Sequence, residues 1–249
     1  MPNTPIQPLP KGETKTKEDF LEGVTVLINK PKTWTSFDVV NKIRSSLKYR
    51  LGIKKIKVGH AGTLDPLATG LLTICIGRHT KKINELTGLP KTYTGQFFIG
   101  ATTPSYDLET EVDATYPTDH ITEELLAQAV QKFQGKITQF PPIFSAIKQD
   151  GKRLYKIARE GGKVDIKSRE VEILSFKIQN VQLPTIDFVV DCSKGTYIRS
   201  LAYDFGKALE SGAYLAELTR TKVGHFSLDQ AWELDDFIAS LPEKRLSGE

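Results

Sequence analysis

"VGHAGTLDPLATGLL", residues 58–72, holds a single acid, Asp65, between three glycines and a proline. Pro66 disfavours the helical region for the residue before it, so the Asp65 backbone is expected to be extended or in a turn. Gly59, Gly62 and Gly70 permit sharp turns and close approach of a ligand or another backbone. The run from Leu71 to Ile76 reads as a buried strand, which anchors one end of the loop in the core. An Asx-Pro step taken alone is an ordinary turn initiator. Whether Asp65 does more depends on the rest of the chain.

Upstream, "GVTVLINKP" (23–31) reads as a strand closed by Pro31. Ser36 reads as the N-cap of a helix with Asp38 in its first turn. Phe37, Val40, Ile43, Leu47 and Leu51 follow at helical spacing, and Gly52 ends the helix. Downstream, "KTYTGQFFIGA" (91–101) reads as a strand, and Thr122 caps a helix carrying Leu125, Leu126, Ala129, Val130 and Phe133 up to Gly135. Pro141 and Pro142 keep "QFPPIFSAIKQDG" out of helix. A short helix is expected from Arg153 to Glu160. Two strands follow, "EVEILSFKI" and "IDFVVDC", the second placing Ile186, Phe188, Val190 and Cys192 on one side. "SKGTYIRSLAYDFGKALESG" turns from strand into helix with Ile198, Leu201, Ala202, Phe205 and Leu209 inward. "YLAELTRTKVGHF" reads as a last core strand and "ELDDFIASL" as a terminal helix. Strands and helices mix without a regular βαβ alternation, so the fold class is α+β. No internal repeat is visible.

The 249 residues suit one large domain or two small ones sharing a core. A hydrophobic content of 39% and a charged content of 26% are those of a soluble globular protein. No apolar run approaches membrane-spanning length. The opening "MPNTPIQPLPKGETKTKEDF" lacks the apolar core of a signal peptide. Residues 1–20 are expected to form a mobile tail, and the protein is expected in the cytoplasm. Cys75 and Cys192 sit in apolar stretches and read as small buried hydrophobes. Net charge is only +4, yet the segment between Asp38 and Asp65 has no acid and carries Lys42, Arg44, Lys48, Arg50, Lys54, Lys55 and Lys57. Arg78, Lys81 and Lys82 follow. A charge run is usually a solvated face; one bracketing a constrained loop points to a phosphate-rich partner.

Several chemistries drop out. Lys91-Thr92 follows Pro90, so there is no Walker A loop, and no GxGxxG, GxSxG or HExxH pattern occurs. The four histidines and two cysteines have no metal-ligand spacing, and the zinc deaminase pattern is absent. A glycoside hydrolase normally needs two carboxylates flanking the scissile bond. Asp107, Glu109, Glu111 and Asp113 are the candidates for a second, but acids in a Thr/Ser/Pro-rich loop more often solvate it. What remains is one constrained carboxylate, a basic surface, and Arg and aromatic residues in two later motifs.

"GHAGTLDPLATGLL", "KTYTGQFFIGATTPSYD", "FSAIKQDGKRLYKIAREG" and "CSKGTYIRSLAYDFG" stand in this order. From about Val24 to Val223 the chain resembles the bacterial tRNA pseudouridine synthase B family, which isomerises uridine 55 in the T arm of tRNA. The resemblance implies a pseudouridine synthase fold: an extended, mainly antiparallel mixed sheet flanked by helices and loops, with a central RNA-binding cleft. It implies that Asp65 is the catalytic nucleophile and that Arg199 pairs with it, keeping it charged and oriented. Attack on the sugar, attack on the base and proton abstraction at C2′ all remain open for Asp65. Tyr93 matches the tyrosine that stacks on the target uracil, and Tyr197 and Leu218 match further substrate-pocket positions. His60 matches a histidine that inserts where bases have left the stack. Lys30 in "NKP" stays outside the expected site. The reaction needs no cofactor and no metal. Longer family members continue into a C-terminal RNA-binding domain of the PUA type. The expectation here is one catalytic domain, residues 21–249, without that addition, acting on tRNA as a monomer away from membranes. The competing readings are a non-catalytic RNA-binding module, a pseudouridine synthase for another RNA, and a sugar-processing hydrolase.

Overall fold

The computed structural model describes residues 6–144, 148–149, 152–153 and 166–242. Among the described residues the helices are, in chain order, α1 (Lys17–Glu22), α2 (Ser36–Leu51), α3 (Ile83–Gly88), α4 (Glu123–Lys132), α5 (Ile198–Ala208) and α6 (Leu234–Ser240). The strands that matter for the site are β1 (Val24–Lys30), β2 (Val58–His60), β3 (Thr69–Ile76), β4 (Lys91–Ile99), β5 (Gly135–Gln139), β6 (Arg169–Gln182), β7 (Thr185–Cys192), β8 (Ala213–Val223), β9 (Phe226–Ser227) and β10 (Trp232–Glu233). The chain divides into two compact units, Met1–Lys91 with Thr219–Glu249, and Thr92–Leu218. Parallel and antiparallel pairs mix, and helices lie outside the strand ladder, as α+β requires.

In the first unit β1 runs antiparallel to β3, from Val24 opposite Ile76 to Lys30 opposite Gly70, and β10 lies parallel on the outer edge of β1. The unbroken run "VTVLI" makes β1 a strand buried on both faces, with Val26, Leu27 and Ile28 fully enclosed. The other edge of β3 is shared. Thr219 and Arg220 of β8 pair in parallel with Thr69 and Gly70, and β2 pairs antiparallel with residues 74–76. Residues 61–68 must therefore run back along β3 between those two partners.

Two local expectations change here. The N-cap of α2 is Thr35, which exchanges hydrogen bonds with Asp38 in a capping box, and Ser36 begins the helix. The buried stripe is then Ser36, Val39, Val40, Ile43 and Leu47, and Phe37, one step of about 100° off it, is 58% exposed. Residues 6–20 are docked and not a mobile tail. Ile6, Leu9 and Phe20 are buried, Leu9 N donates to Thr25 O (2.8 Å), and Leu9 O accepts from the Trp232 indole (3.2 Å). Three apolar residues suffice because each fills a place on the first unit's surface, which composition averaged over twenty residues conceals.

The second unit orders its strands as the first half of β8, then β4, β7, β6 and β5. The β6–β7 and β5–β6 pairs are antiparallel. Alternation along β7 buries Ile186, Phe188, Val190 and Cys192 as expected. Phe97 stacks on Phe188 with centroids 4.1 Å apart, and Phe176 and Phe205 close the cluster. The helix expected from Arg153 to Glu160 begins wrongly: Lys152–Arg153 is a short strand paired with Lys148–Gln149, and residues 154–160 lie outside the described residues. Among the described residues no helix is long and apolar enough to cross a membrane.

Candidate active site

Asp65 sits in the 61–68 loop, and the backbone on both sides of it is pinned. Before it, the buried Ser36 hydroxyl accepts from Leu64 N (2.8 Å) and donates to Leu64 O (3.1 Å). After it, Pro66 O accepts from Thr33 N (2.8 Å) and from Lys30 Nζ (3.2 Å). Ala68 N donates to Asp65 O (3.1 Å), closing a turn with Pro66 in its second position. Thr33 adopts φ 71°, uncommon for a β-branched residue, and such conformations cost about 1–3 kcal/mol unless the surroundings enforce them. Here the bond to Pro66 O does so. The Ser36 read as a cap is thus a loop clamp, which is why Thr35 takes over the capping.

Two buried cations lie against this loop. Lys30 has no exposed surface and donates to Pro31 O (2.9 Å) and Trp34 O (2.6 Å) as well as to Pro66 O. Burial pushes its pKa down to about 8, the Asp65 charge pulls it back up, and the Arg220 charge lowers it again. Arg220 is almost fully buried. Its Nε donates to Leu71 O (2.8 Å), Nη2 to Gly62 O (3.0 Å) and Nη1 to Thr63 O (3.5 Å). Two glycines make room for it. Gly62, at φ +97°, would carry a Cβ 3.5 Å from Nη1. A Cβ on Gly70, at φ +100°, would lie 2.4 Å from Arg220 O, which no side chain tolerates. His60, half-buried at the loop entrance, has its pKa lowered by burial and by the Arg220 charge, both of which favour the neutral ring.

The second unit carries the other expected residues. Arg199, in the first turn of α5, is buried with Nε 3.6 Å from Asp107 Oδ2 and Nη1 donating to Ser105 O (3.3 Å). A helix N-terminus is a poor place for a cation, and the buried Asp107 carboxylate offsets it. Asp107 therefore does not merely solvate its loop. It is 5% exposed, accepts from Glu109 N (3.0 Å), and its backbone carbonyl receives the Thr103 and Ser105 hydroxyls. Tyr106 between them adopts φ 63° and stacks on Tyr203 with centroids 4.1 Å apart. Tyr197 caps α5. Gln139 grips it through Tyr197 N (2.7 Å) and Tyr197 O (2.9 Å), and the Arg169 guanidinium lies 4.7 Å above its ring. Tyr93 on β4 is buried and Leu218 on β8 half-buried, on neighbouring strands. Of the residues implied by resemblance, the first unit brings together Asp65 and His60, and the second holds Arg199, Tyr93, Tyr197 and Leu218. Among the described residues no group of three or more His, Cys, Asp or Glu is arranged to hold a metal ion.

Residues 48–198 match the family model for the TruB family pseudouridylate synthase N-terminal domain. The chain belongs to the TruB family of pseudouridylate synthases. Residues 199–246 match the model for the tRNA pseudouridylate synthase B C-terminal domain. The chain is 58% identical over 227 residues to "tRNA pseudouridine synthase B" of Flavobacterium johnsoniae, covering 91% of this chain and 99% of that one. It is 52% identical to the protein of the same name from Parabacteroides distasonis, covering 88% and 95%. Among solved structures, a chain of a Cbf5-Nop10-Gar1 complex superposes with a TM-score of 0.68 at 25% identity, covering 94% of this chain and 60% of that chain. The fold is that of the pseudouridine synthases.

Sequence reading left Lys30 of the first unit outside the site, gave Asp107 of the second to a solvated loop, and did not single out Arg220. Lys30 had a signal, since a cation ending a strand with no polar face has nowhere to go but inward. Asp107 had a weak one, an acid between Ser105 and Thr110 hydroxyls. Nothing local marks Arg220, which reads as one more polar residue of an alternating strand.

Proposed function

We propose that this protein is a tRNA pseudouridine synthase that isomerises uridine 55 in the T arm, acting in the cytoplasm as a monomer. The reaction breaks the C1′–N1 bond, turns the uracil and rejoins it to the sugar through C5, releasing the C5 hydrogen as a proton. Nothing is oxidised or hydrolysed, so the chemistry calls on neither cofactor nor metal. The observation that carries the reading is the loop motif "GHAGTLDPLATGLL", whose one carboxylate is held on a backbone pinned at Leu64 and at Pro66. A nucleophile needs such definition, because misplacement by about 1 Å costs on the order of a hundredfold in rate.

In this reading Asp65 is the nucleophile and Arg199 supplies the positive charge that keeps a carboxylate ionised once RNA excludes water. The Asp107 contact supports that role by holding the guanidinium in place. Extruding the target base costs a few kcal/mol, and a stacking contact at about 1–3 kcal/mol offsets it. Tyr93 provides that contact, with Tyr197 and Leu218 lining the pocket. A neutral His60 fills the gap the base leaves in the stack, where a charged ring would be costly to bury.

Tritium release from a tRNA transcript carrying C5-labelled uridine tests the reaction. Wild-type protein is expected to release label, and a transcript with cytidine at position 55 to lose that release. Asp65→Asn is expected to release none while still binding tRNA. Normal release by Asp65→Asn moves the chemistry to another residue, and release from a different RNA alone reassigns the substrate.

A further inference from the structure

Two basic stretches that lie apart in the chain meet in the first unit. Lys55 and Lys57 precede β2, while Arg78 and Lys81 lie in the 3-10 turn Gly77–Lys82 that follows β3. The register of β2 on β3 sets Val58 opposite Ile76, and the bond from Gly77 N to Lys57 O (2.9 Å) continues it by one step. The four cations surround a pocket of about 250 Å³ whose apolar lining comes from Leu21 and Ile56. The Glu22 carboxylate stands against Arg78. Glu22 Oε1 lies 2.7 Å from Arg78 Nη1, with the two side chains 71% and 69% exposed. An ion pair that exposed is worth about 1 kcal/mol or less. A phosphate, which an arginine holds by two parallel hydrogen bonds, competes well for the same guanidinium.

The pocket is remote from Asp65. The Asp65 loop enters β3 at Thr69 and the pocket begins at Gly77, just past its other end. Eight residues at roughly 3.3 Å each separate the two by about 25 Å. A mononucleotide bound at the loop cannot reach it, whereas a structured RNA presents phosphates over that span. We infer that this pocket takes a backbone phosphate of the substrate RNA at a distance from the reacting nucleotide, with the apolar floor beneath the adjoining ribose. The inference rests on the proposed RNA substrate.

The test measures binding of an unmodified tRNA transcript over a salt series. It compares wild-type protein, Lys55→Gln/Lys81→Gln, and Lys132→Gln/Lys177→Gln, which removes equal charge from exposed positions of the other unit. Each phosphate contact contributes about 0.7–0.9 to the slope of log K against log salt. The pocket variant is expected to flatten the slope by about 0.7–0.9, the contribution of one phosphate, and the charge-matched variant to keep it. Lys55→Arg/Lys81→Arg is expected to keep it as well. An unchanged slope in the pocket variant overturns the inference. So does equal flattening in both glutamine pairs, or flattening by the arginine pair, since neither would be specific to charge in the pocket. Failure of wild-type protein to release tritium from the same transcript defeats the functional reading instead, whatever the slopes.

Discussion

Replacing Arg220 by methionine removes the guanidinium that donates to Leu71 O and Gly62 O beneath the Asp65 loop. Each of those carbonyls would be left without its donor in a dry site, at about 1–3 kcal/mol apiece. The contact to Thr63 O, at 3.5 Å, adds little. The gross loss is about 2–6 kcal/mol. Methionine refills most of the volume and no charge has to be buried, so the expected net loss is about 2–4 kcal/mol. Whole domains are stable by about 5–15 kcal/mol, so the variant folds but melts early. At a urea m-value of about 2 kcal/mol/M the midpoint falls by roughly 1–2 M. Turnover of the folded protein falls further, by about a hundredfold, because Gly62 and Leu71 bracket Asp65 and their release lets it drift. Urea unfolding followed by circular dichroism, with single-turnover tritium release well below the midpoint, separates the two effects. Arg220→Lys, with its three donors on one compact ammonium, is expected to recover part of each. A stability loss under about 0.5 kcal/mol would refute the clamp. A destabilised variant with wild-type turnover would show that the clamp holds the fold and not the carboxylate.

Tyr93→Phe is expected to keep turnover and Tyr93→Leu to lose about fivefold to a hundredfold, the value of one stacking contact; equal damage in both assigns the role to the hydroxyl. Lys30 binds its proton less tightly in the folded protein, at about 8, than in the unfolded chain, near 10.5. The unfolded state therefore holds more protons between those values, so stability rises with pH across that window and is lost as pH falls through about 8. Urea midpoints measured over that range are expected to climb for wild-type protein and to stay flat for Lys30→Met; the same climb in both would assign it to another group. Asp107→Asn removes the carboxylate 3.6 Å from the buried Arg199 Nε, and equilibrium unfolding is expected to reveal a loss of up to about 3–5 kcal/mol. A loss below about 1 kcal/mol would mean that Ser105 O and other contacts hold the guanidinium without it.

The elements that could be read from the sequence are those whose signals lie within a few residues. The apolar run of β1, the alternation of β7, Gly52 at the end of α2 and Thr122 before α4 each encode their own conformation. Asp65 was legible for the same reason, as the single acid of a Gly- and Pro-marked loop ahead of a buried strand. The cap of α2 was misplaced by one residue because Thr35 and Ser36 are equally good local caps. What separates them is Leu64, whose backbone takes the Ser36 hydroxyl. Phe37 then followed Ser36 into the wrong face.

The remaining features depend on partners far away in the chain. Ser36 and Leu64 are 28 residues apart, Gly62 and Arg220 are 158, and Leu9 and Trp232 are 223. Arg199 meets Asp107 only because the start of α5 packs against the 103–107 turn. Sequence by itself determined the longer strands and helices such as β1, β3, β4, β7, α2 and α4, the family motifs and the acid they present, because periodicity, chain breakers and caps are local forces. Tertiary structure alone decided that Lys30 and Arg220 are buried beneath that acid, that Asp107 is a counter-charge, and that residues 6–20 are docked. Each of these is a polar or apolar group whose burial is tolerable only where distant backbone and side chains converge to satisfy it.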